Sequence, residues 1–430
     1  MVKRGARVLH TTLALALACA GLAGCAKQEE GTRTLQFWTI GREGEAVAKL
    51  LPEFEREHPG LHVAVQQLPL TAAHQKLLTA YAGDSTPDIT QLGNTWIPEM
   101  VALGALEPLD ARVAASKTVD KADYFPAIWS TNVIDGVLYG VPWYVDTRLL
   151  FYRKDLLAKA GYDHPPRDWA EWQAMMAKLS QPPGKTYGAL LPTNEFEQLL
   201  ALGLQQDEPL LRDGNRYGNF RSAGFKKALA FYVSIFKERQ APMMTNVGIG
   251  NPWAAFGQGF FTFYLSGPWN IGEFRKRLPP EQQADWGTTP LPGPDGPGAS
   301  NAGGSSLVIY RRSKHKDDAW ALIEFLSRPA IQDRFYQILG DMPPRRSSWN
   351  APALKDDDKA IAFREQLERV KPTPPVAEWE RIVTEMQLVA AQAAHGDLTI
   401  DQAAAEIDRR ADRLLEKRRW MLDHGHKASP

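Results

Sequence analysis

Cysteine is almost missing from this chain of 430 residues: there are two, Cys19 and Cys25, both near the N-terminus. Everything after residue 25 must therefore fold without a disulfide. Long apolar runs are equally scarce. Beyond the first 20 residues no stretch approaches the roughly 18 apolar residues that a membrane-spanning helix needs. Net charge is absent too, with 50 Lys and Arg against 50 Asp and Glu. The first 25 residues hold Lys3, Arg4 and Arg7 and no acid, so without them the balance is 47 against 50, or −3. That excludes a polyanion held by bulk charge and weighs against nucleic acid. There is no Gly-x-Ser-x-Gly nucleophile turn and no Gly-rich phosphate loop ending in Lys-Ser or Lys-Thr. The nine histidines are scattered, and His424-Gly425-His426 reads as a solvated tail. No internal repeat is visible.

What is present begins with a targeting segment. A basic start is followed by an apolar run over 8–20, too short to span a membrane. It ends in Leu22-Ala23-Gly24-Cys25, which resembles the bacterial lipoprotein cleavage box, so Cys25 is expected to become a lipidated first residue. The alternative is an ordinary signal peptide with an incidental cysteine. Residues 1–24 are thus a signal peptide and 25–32 a tether. The position after Cys25 is Ala26, which leaves the choice between inner and outer membrane open.

A chain of this length is too long for one core, and two lobes are expected. Strand and helix patterns alternate from the start: strand 34–40, helix 46–58, strand 61–68, helix 71–82, strand 87–92. This rhythm predicts α/β lobes, each with a mostly parallel sheet and ligand groups at the carboxyl ends of strands. Glu43, Gln67 and the turn Gly93-Asn94-Thr95-Trp96 fall at such ends. The pivot of the chain is the run 138–155, LYGVPWYVDTRLLFYRKD. Pro142 makes its first part an extended connection. Residues 149–153 read as a buried strand, and Gly161 stops the short helix that follows. Asp168 is placed as an N-cap for a helix running to Leu179. A Gly- and Pro-rich tract over 286–298 reads as a return crossing, Gly303-Gly304 as a turn into a strand, and 342–346 as a third crossing.

Several pieces carry a resemblance: Pro87-Asp88-Ile89, Gly140-Val141-Pro142 with Tyr144 and Asp146, the run 152–157, Gly267-Pro268-Trp269, Gly303-Gly304 and Pro344-Arg345-Arg346-Ser347. Each is weak alone, but their order and spacing over about 33–420 resemble the family 1 extracellular solute-binding proteins, the sugar receptors of ABC importers. The resemblance implies a type II periplasmic-binding-protein fold with three interlobe crossings. The N-terminal lobe is expected from 33–143 and 288–340, the C-terminal lobe from 144–287 and 341–422, and a flexible tail over 423–430. It also implies a monomer that binds a small sugar, needs no cofactor or metal, and hands its ligand to permease subunits in the inner membrane.

Within the family the pattern is similar to the members that bind trehalose and maltose. Carried over by position, Glu43 matches an acid that bonds sugar hydroxyls, Tyr144 a ring platform, Asp146 a carboxylate acceptor, Gly304 a backbone contact and Arg345 a forked donor. Two positions depart. The acid expected after the third strand falls on Gly93, so Asn94 or Thr95 would substitute, and the aromatic expected after Gly304 is Ser305. A polyol needs bidentate charged groups and flat apolar faces. Glu43, Asp146 and Arg345 offer the first, and Trp96, Trp143, Tyr144, Trp253, Trp269 and Trp379 the second. For the charged residues the bland alternative is a surface ion pair, and for each tryptophan it is core packing. Trp129, Trp169, Trp172, Trp320 and Trp420 are read as core or surface. The expected function is a lipid-anchored receptor for a disaccharide of the trehalose or maltose kind. The alternatives are another oligosaccharide, glycerol-3-phosphate (left open by Arg345 and Arg346, with few other cations near the cleft), a glycan-cleaving lipoprotein using Glu43 and Asp146, or an envelope lipoprotein that binds only a protein.

Overall fold

The computed structural model describes residues 32–181 and 185–425. The signal peptide, Cys25 and His426 lie outside the described residues. Nine strands build two sheets: β1 (Arg33–Ile40), β2 (Leu61–Leu68), β3 (Ile89–Gly93), β4 (Val141–Asp146), β5 (Leu149–Arg153), β6 (Tyr187–Leu190), β7 (Phe261–Ser266), β8 (Trp286–Thr289) and β9 (Gly303–Ile309). One sheet has the order β2-β1-β3-β9-β4 and the other β8-β5-β7-β6. In each sheet a single strand runs against the rest, β9 in the first and β5 in the second. The mostly parallel lobes read from the helix–strand rhythm are therefore present. The reversed strand in each is the one the chain enters as it arrives from the other lobe.

The helices that matter for the site are α1 (Glu43–Ala48), α2 (Leu51–Glu57), α3 (Leu70–Ala82), α4 (Trp169–Leu179), α5 (Ala223–Lys237), α6 (Trp269–Arg277), α7 (Lys316–Leu326), α8 (Pro329–Leu339) and α9 (Trp379–His395). The single helix expected over 46–58 is in fact two. Pro52 has no N–H to give a helix interior but fits a first turn, so a new helix begins there. The first of the pair starts early, which puts Glu43 at a helix head rather than in a loop. Asp168 caps α4 as expected, its Oδ1 accepting from the Glu171 N–H at 2.8 Å. The tract over 286–298 is only partly a crossing. Trp286 is buried against Phe151 and Phe274, and that burial makes 286–289 the edge strand β8.

Each lobe has its own core. Leu35, Phe37, Val63 and Ile89 from the first sheet meet Leu322, Ile323 and Phe325 of α7. In the second lobe Trp172, Leu229, Phe263 and Val383 pack together. Fully burying side chains of this size stabilises each lobe by about 1.5–3 kcal/mol per residue.

Three segments join the lobes and are laced to one another. Between β4 and β5 stand only Thr147 and Arg148. Ser300-Asn301 pairs in parallel with Val370-Lys371, and the Ser300 hydroxyl accepts from the Arg148 N–H at 3.2 Å. The third segment leaves α8 through Gly340 in the left-handed region (φ 92°), and the Val145 N–H donates to Met342 C=O at 2.9 Å. Arg345 clamps this segment. Its Nε donates to Asp123 at 2.6 Å and its Nη1 to the Ser327 carbonyl at 2.5 Å.

Asp123 also accepts from the Ser347 N–H at 2.8 Å. Burial pushes its carboxyl up, but the bonds from Ser347 and Arg345 prevail and hold it below the usual carboxylate range. Asp123→Ala is expected to cost about 3–5 kcal/mol, because it strands a buried guanidinium. A carboxyl depressed in the folded state stabilises fully above its unfolded value of about 3.9 and loses that contribution as pH falls through the folded value. Urea melts of both proteins should therefore differ most near neutrality and converge in acid. A constant gap across pH would refute this assignment.

Candidate ligand cleft

The cleft opens where β1, β3 and β4 end. Gly41 turns the chain out of β1 with φ 68°, and the Gln67 side-chain amide donates to its carbonyl, fixing the loop that presents Glu43. Tyr144 on β4 stands opposite Ser305 on β9. Its hydroxyl donates to Glu43 Oε1 at 2.7 Å and accepts from the Ser305 hydroxyl at 3.0 Å. Gln91 lies beneath. Its Oε1 accepts from the Ile40 N–H at 2.8 Å, and its Nε2 lies 3.2 Å from Glu43 Oε1, 3.0 Å from Tyr144 Oη and 3.3 Å from Ser305 Oγ. Burial pushes the Glu43 carboxyl above its ordinary range, while the bonds from Tyr144 and Gln91 pull the other way. Gly304 makes this approach possible: at φ 137° it has no side chain, and an added Cβ would lie 2.3 Å from the Tyr144 carbonyl.

The other wall is built around Arg148. Its side chain is 6% exposed; Nη1 donates to Asp146 Oδ1 and Nη2 to Glu197 Oε1 at 2.9 Å. Nε finds no partner among the described residues. The guanidinium lies 4.8 Å from the ring of Trp269, the first residue of α6, which stays 36% exposed. Gly267 leaves the room this ring occupies, since a Cβ there would meet Trp269 at 2.0 Å. Burial raises the Asp146 carboxyl and Arg148 opposes it, with the net shift upward.

The structure thus brings together Glu43, Tyr144, Asp146, Trp269, Gly304 and Ser305 from the sequence-derived set. It corrects others. Trp143 is 3% exposed and packs on Phe37, Phe335 and the ring of Tyr144 in the first core, at the point where β4 slips by one residue against β9. Trp379 is 1% exposed in the second core, and its indole N–H has no partner among the described residues. Arg345 is 8% exposed and spent on Asp123 and Ser327. Asn94 gives its amide to the Ala302 carbonyl at 2.7 Å and so braces a crossing. Gln67 shapes the loop, Trp96 packs against His74, and Trp253 donates to Asn270 at 2.8 Å beneath Arg277.

Gln91, Arg148 and Glu197 escaped the sequence reading. Arg148 had a visible signal, a charge in the two-residue gap between apolar strands. The lobes also touch directly: Thr95 donates to Glu380 on α9, and Arg42 lies 3.8 Å from Glu273 on α6. Acceptor carboxylates beside an exposed indole face match a polyhydroxylated ligand. Among the described residues no group of His, Cys, Asp or Glu is disposed to hold a metal ion, and no helix is long and apolar enough to cross a membrane.

Comparison with known proteins bears on the fold and the family. The structure of the sugar-binding protein MalE from Xanthomonas citri matches with 55% identity and a TM-score of 0.87, covering 91% of this chain and 99% of that one. Maltose-bound MalE3 from T. maritima matches with 26% identity and a TM-score of 0.75, over 89% and 99% of the two chains. The galactooligosaccharide-binding protein of Bacillus subtilis (strain 168) is 25% identical, over 92% of this chain and 94% of its own. Residues 38–333 match the model of the bacterial extracellular solute-binding proteins. With that match and a MalE relative identical at more than half its positions, the chain belongs to the bacterial extracellular solute-binding protein family.

Proposed function

We propose that this protein captures a disaccharide of the maltose or trehalose kind between its lobes and delivers it to the permease of an ABC importer. The observation that carries the reading is the pairing of Asp146, oriented by buried Arg148, with the exposed face of Trp269 across from Glu43 and Tyr144. Sugar hydroxyls donate paired bonds to the two oxygens of such carboxylates, while the apolar face of a pyranose lies on the indole. The MalE match supports the ligand class. A ligand that touches both walls favours the closed arrangement by that difference alone. The lipid anchor on Cys25 belongs to the same proposal; a shift of the protein out of the detergent phase in Cys25→Ser tests it.

The phosphate alternative loses its cations, since Arg345 pairs with Asp123 and Arg346 with Glu368. The glycosidase alternative gains a point the sequence did not offer, the upward shift of both Glu43 and Asp146. Titration of tryptophan fluorescence with maltose, trehalose, sucrose, maltotriose and glycerol-3-phosphate separates these readings. Saturable binding of one disaccharide with no glucose released is the expected result, and hydrolysis of the sugar would replace the receptor with an enzyme. Trp269→Ala should weaken that disaccharide about tenfold or more, equivalent to about 1.4 kcal/mol, and Trp269→Phe should recover part of it. Unchanged affinity in Trp269→Ala would remove the stacking role.

A further inference from the structure

The third crossing brings one more side chain to the cleft. Val145 and Met342 form an antiparallel bridge, and in that register Asp341 stands opposite Asp146. Directly opposed residues share a face of the ladder, and residues two apart on a strand do as well. Asp341 therefore lies on the same face as Asp146 and Tyr144, the face that Glu43 closes from α1. The charges that reach Asp341 are those of Glu43 and Arg42 at the head of α1 and of Asp146 on β4, and Tyr144 faces it from the same strand. Arg42 is turned to Glu273 and largely exposed, and Arg148 is committed to Asp146 and Glu197. Asp341 Oδ2 is buried, with no hydrogen-bond partner among the described residues.

Three partly buried carboxyls this close together oppose one another's ionisation, and the one without a cation or a donor holds its proton longest. We propose that Asp341 enters the ligand site as a neutral carboxylic acid and donates a hydrogen bond to an acceptor-only oxygen of the sugar, the ring or the glycosidic oxygen. This rests on the sugar-receptor reading above. The role is distinctive because Glu43 and Asp146 can only accept when ionised, so they recognise hydroxyls and leave ether oxygens unread. A donor placed beside them lets the cleft tell how two sugar rings are joined. Burial and the charges of Glu43 and Asp146 push the Asp341 carboxyl in the same direction, well above the ordinary range.

The sign follows directly. An acid whose value is raised in the folded protein keeps its proton further up the pH scale than a free carboxyl, so the donor is present below that raised value and is lost as pH rises through it. The test is calorimetric titration with maltose and with trehalose, from pH 4 to pH 10, on the full mature protein and on Asp341→Asn and Asp341→Ala. Wild-type affinity should fall at least tenfold as pH rises across that range. Asp341→Asn keeps a donor that cannot titrate and should bind with a flat profile. Asp341→Ala should bind at least tenfold more weakly at pH 6, with circular dichroism unchanged. A wild-type profile that stays flat, or an alanine variant that binds like wild type, would overturn the proposal and leave the receptor reading intact. Failure of the wild type to bind either sugar at any pH would overturn both.

Discussion

Replacing Arg148 by methionine is expected to abolish sugar binding and to lower stability by about 3–5 kcal/mol, the usual consequence of removing one partner from a buried ion pair. The reasoning starts from position. Arg148 occupies the short gap between β4 and β5, is almost fully buried, and answers Asp146 on one side and Glu197 on the other. Methionine keeps most of the side-chain volume, so the loss is mainly of charge, and the half-buried carboxylates of Asp146 and Glu197 are left without their shared cation. Asp146 would also lose the bond that aims it, and Trp269 the cation above its ring. Affinity should fall at least 100-fold, about 2.8 kcal/mol. Because burial already raises the Asp146 carboxyl and protonation removes its unpaired charge, the stability gap should narrow in acid. The double variant Arg148→Met with Asp146→Asn should regain part of the lost stability but none of the binding. Wild-type affinity in Arg148→Met would disprove the whole account of that wall.

Gly304→Ala should be nearly as damaging, for a different reason. At φ 137° an L residue is strained by about 1–3 kcal/mol. The added Cβ must also push the Tyr144 carbonyl away from 2.3 Å and Val145 Cα from 3.0 Å. Moving β4 off β9 parts Tyr144 from Ser305 and Gln91, so affinity should drop more than tenfold together with stability. Gly296 supplies the control. Its φ is 144°, yet nothing lies within 4 Å of the Cβ it would gain. Gly296→Ala should therefore show the backbone strain alone and leave sugar binding untouched. Equal effects at the two glycines would mean that the close approach of the strands has no role.

Much of this arrangement was legible beforehand, for identifiable reasons. β2 alternates and is preceded by Pro59-Gly60, so its limits, 61–68, could be read directly. Tyr144 and Asp146 came from the resemblance, carried over by position, and the strand that holds them sets them two apart on either side of buried Val145. Trp143 falls where β4 slips against β9, and the Phe37 and Phe335 that bury it come from distant parts of the chain, so nothing local marked it as core. Trp379 could have been removed from the site, since Ile382, Val383 and Met386 continue a core stripe at helical spacing from it. Arg345 is another matter. Its partner Asp123 is 222 positions away, and no local pattern tells an arginine that clamps a crossing from one that grips a ligand. Gln91 was hidden in the same way, as a polar residue inside a strand whose neighbours arrive from three distant segments.

The lacing of the three crossings has a mechanical consequence. Separate linkers would let two bodies slide, twist and swing independently. Here β4 is bonded to the third segment through Val145 and Met342, Arg148 is bonded to Ser300, and Ala302 is bonded to Lys371. Joined side by side, the segments form one narrow ribbon that resists shear and torsion in its own plane and yields chiefly to bending across it. The relative placement of the two bodies then reduces to a single angle. Under the receptor reading, a transporter that touched both bodies at once would read that one angle to sense whether cargo is on board.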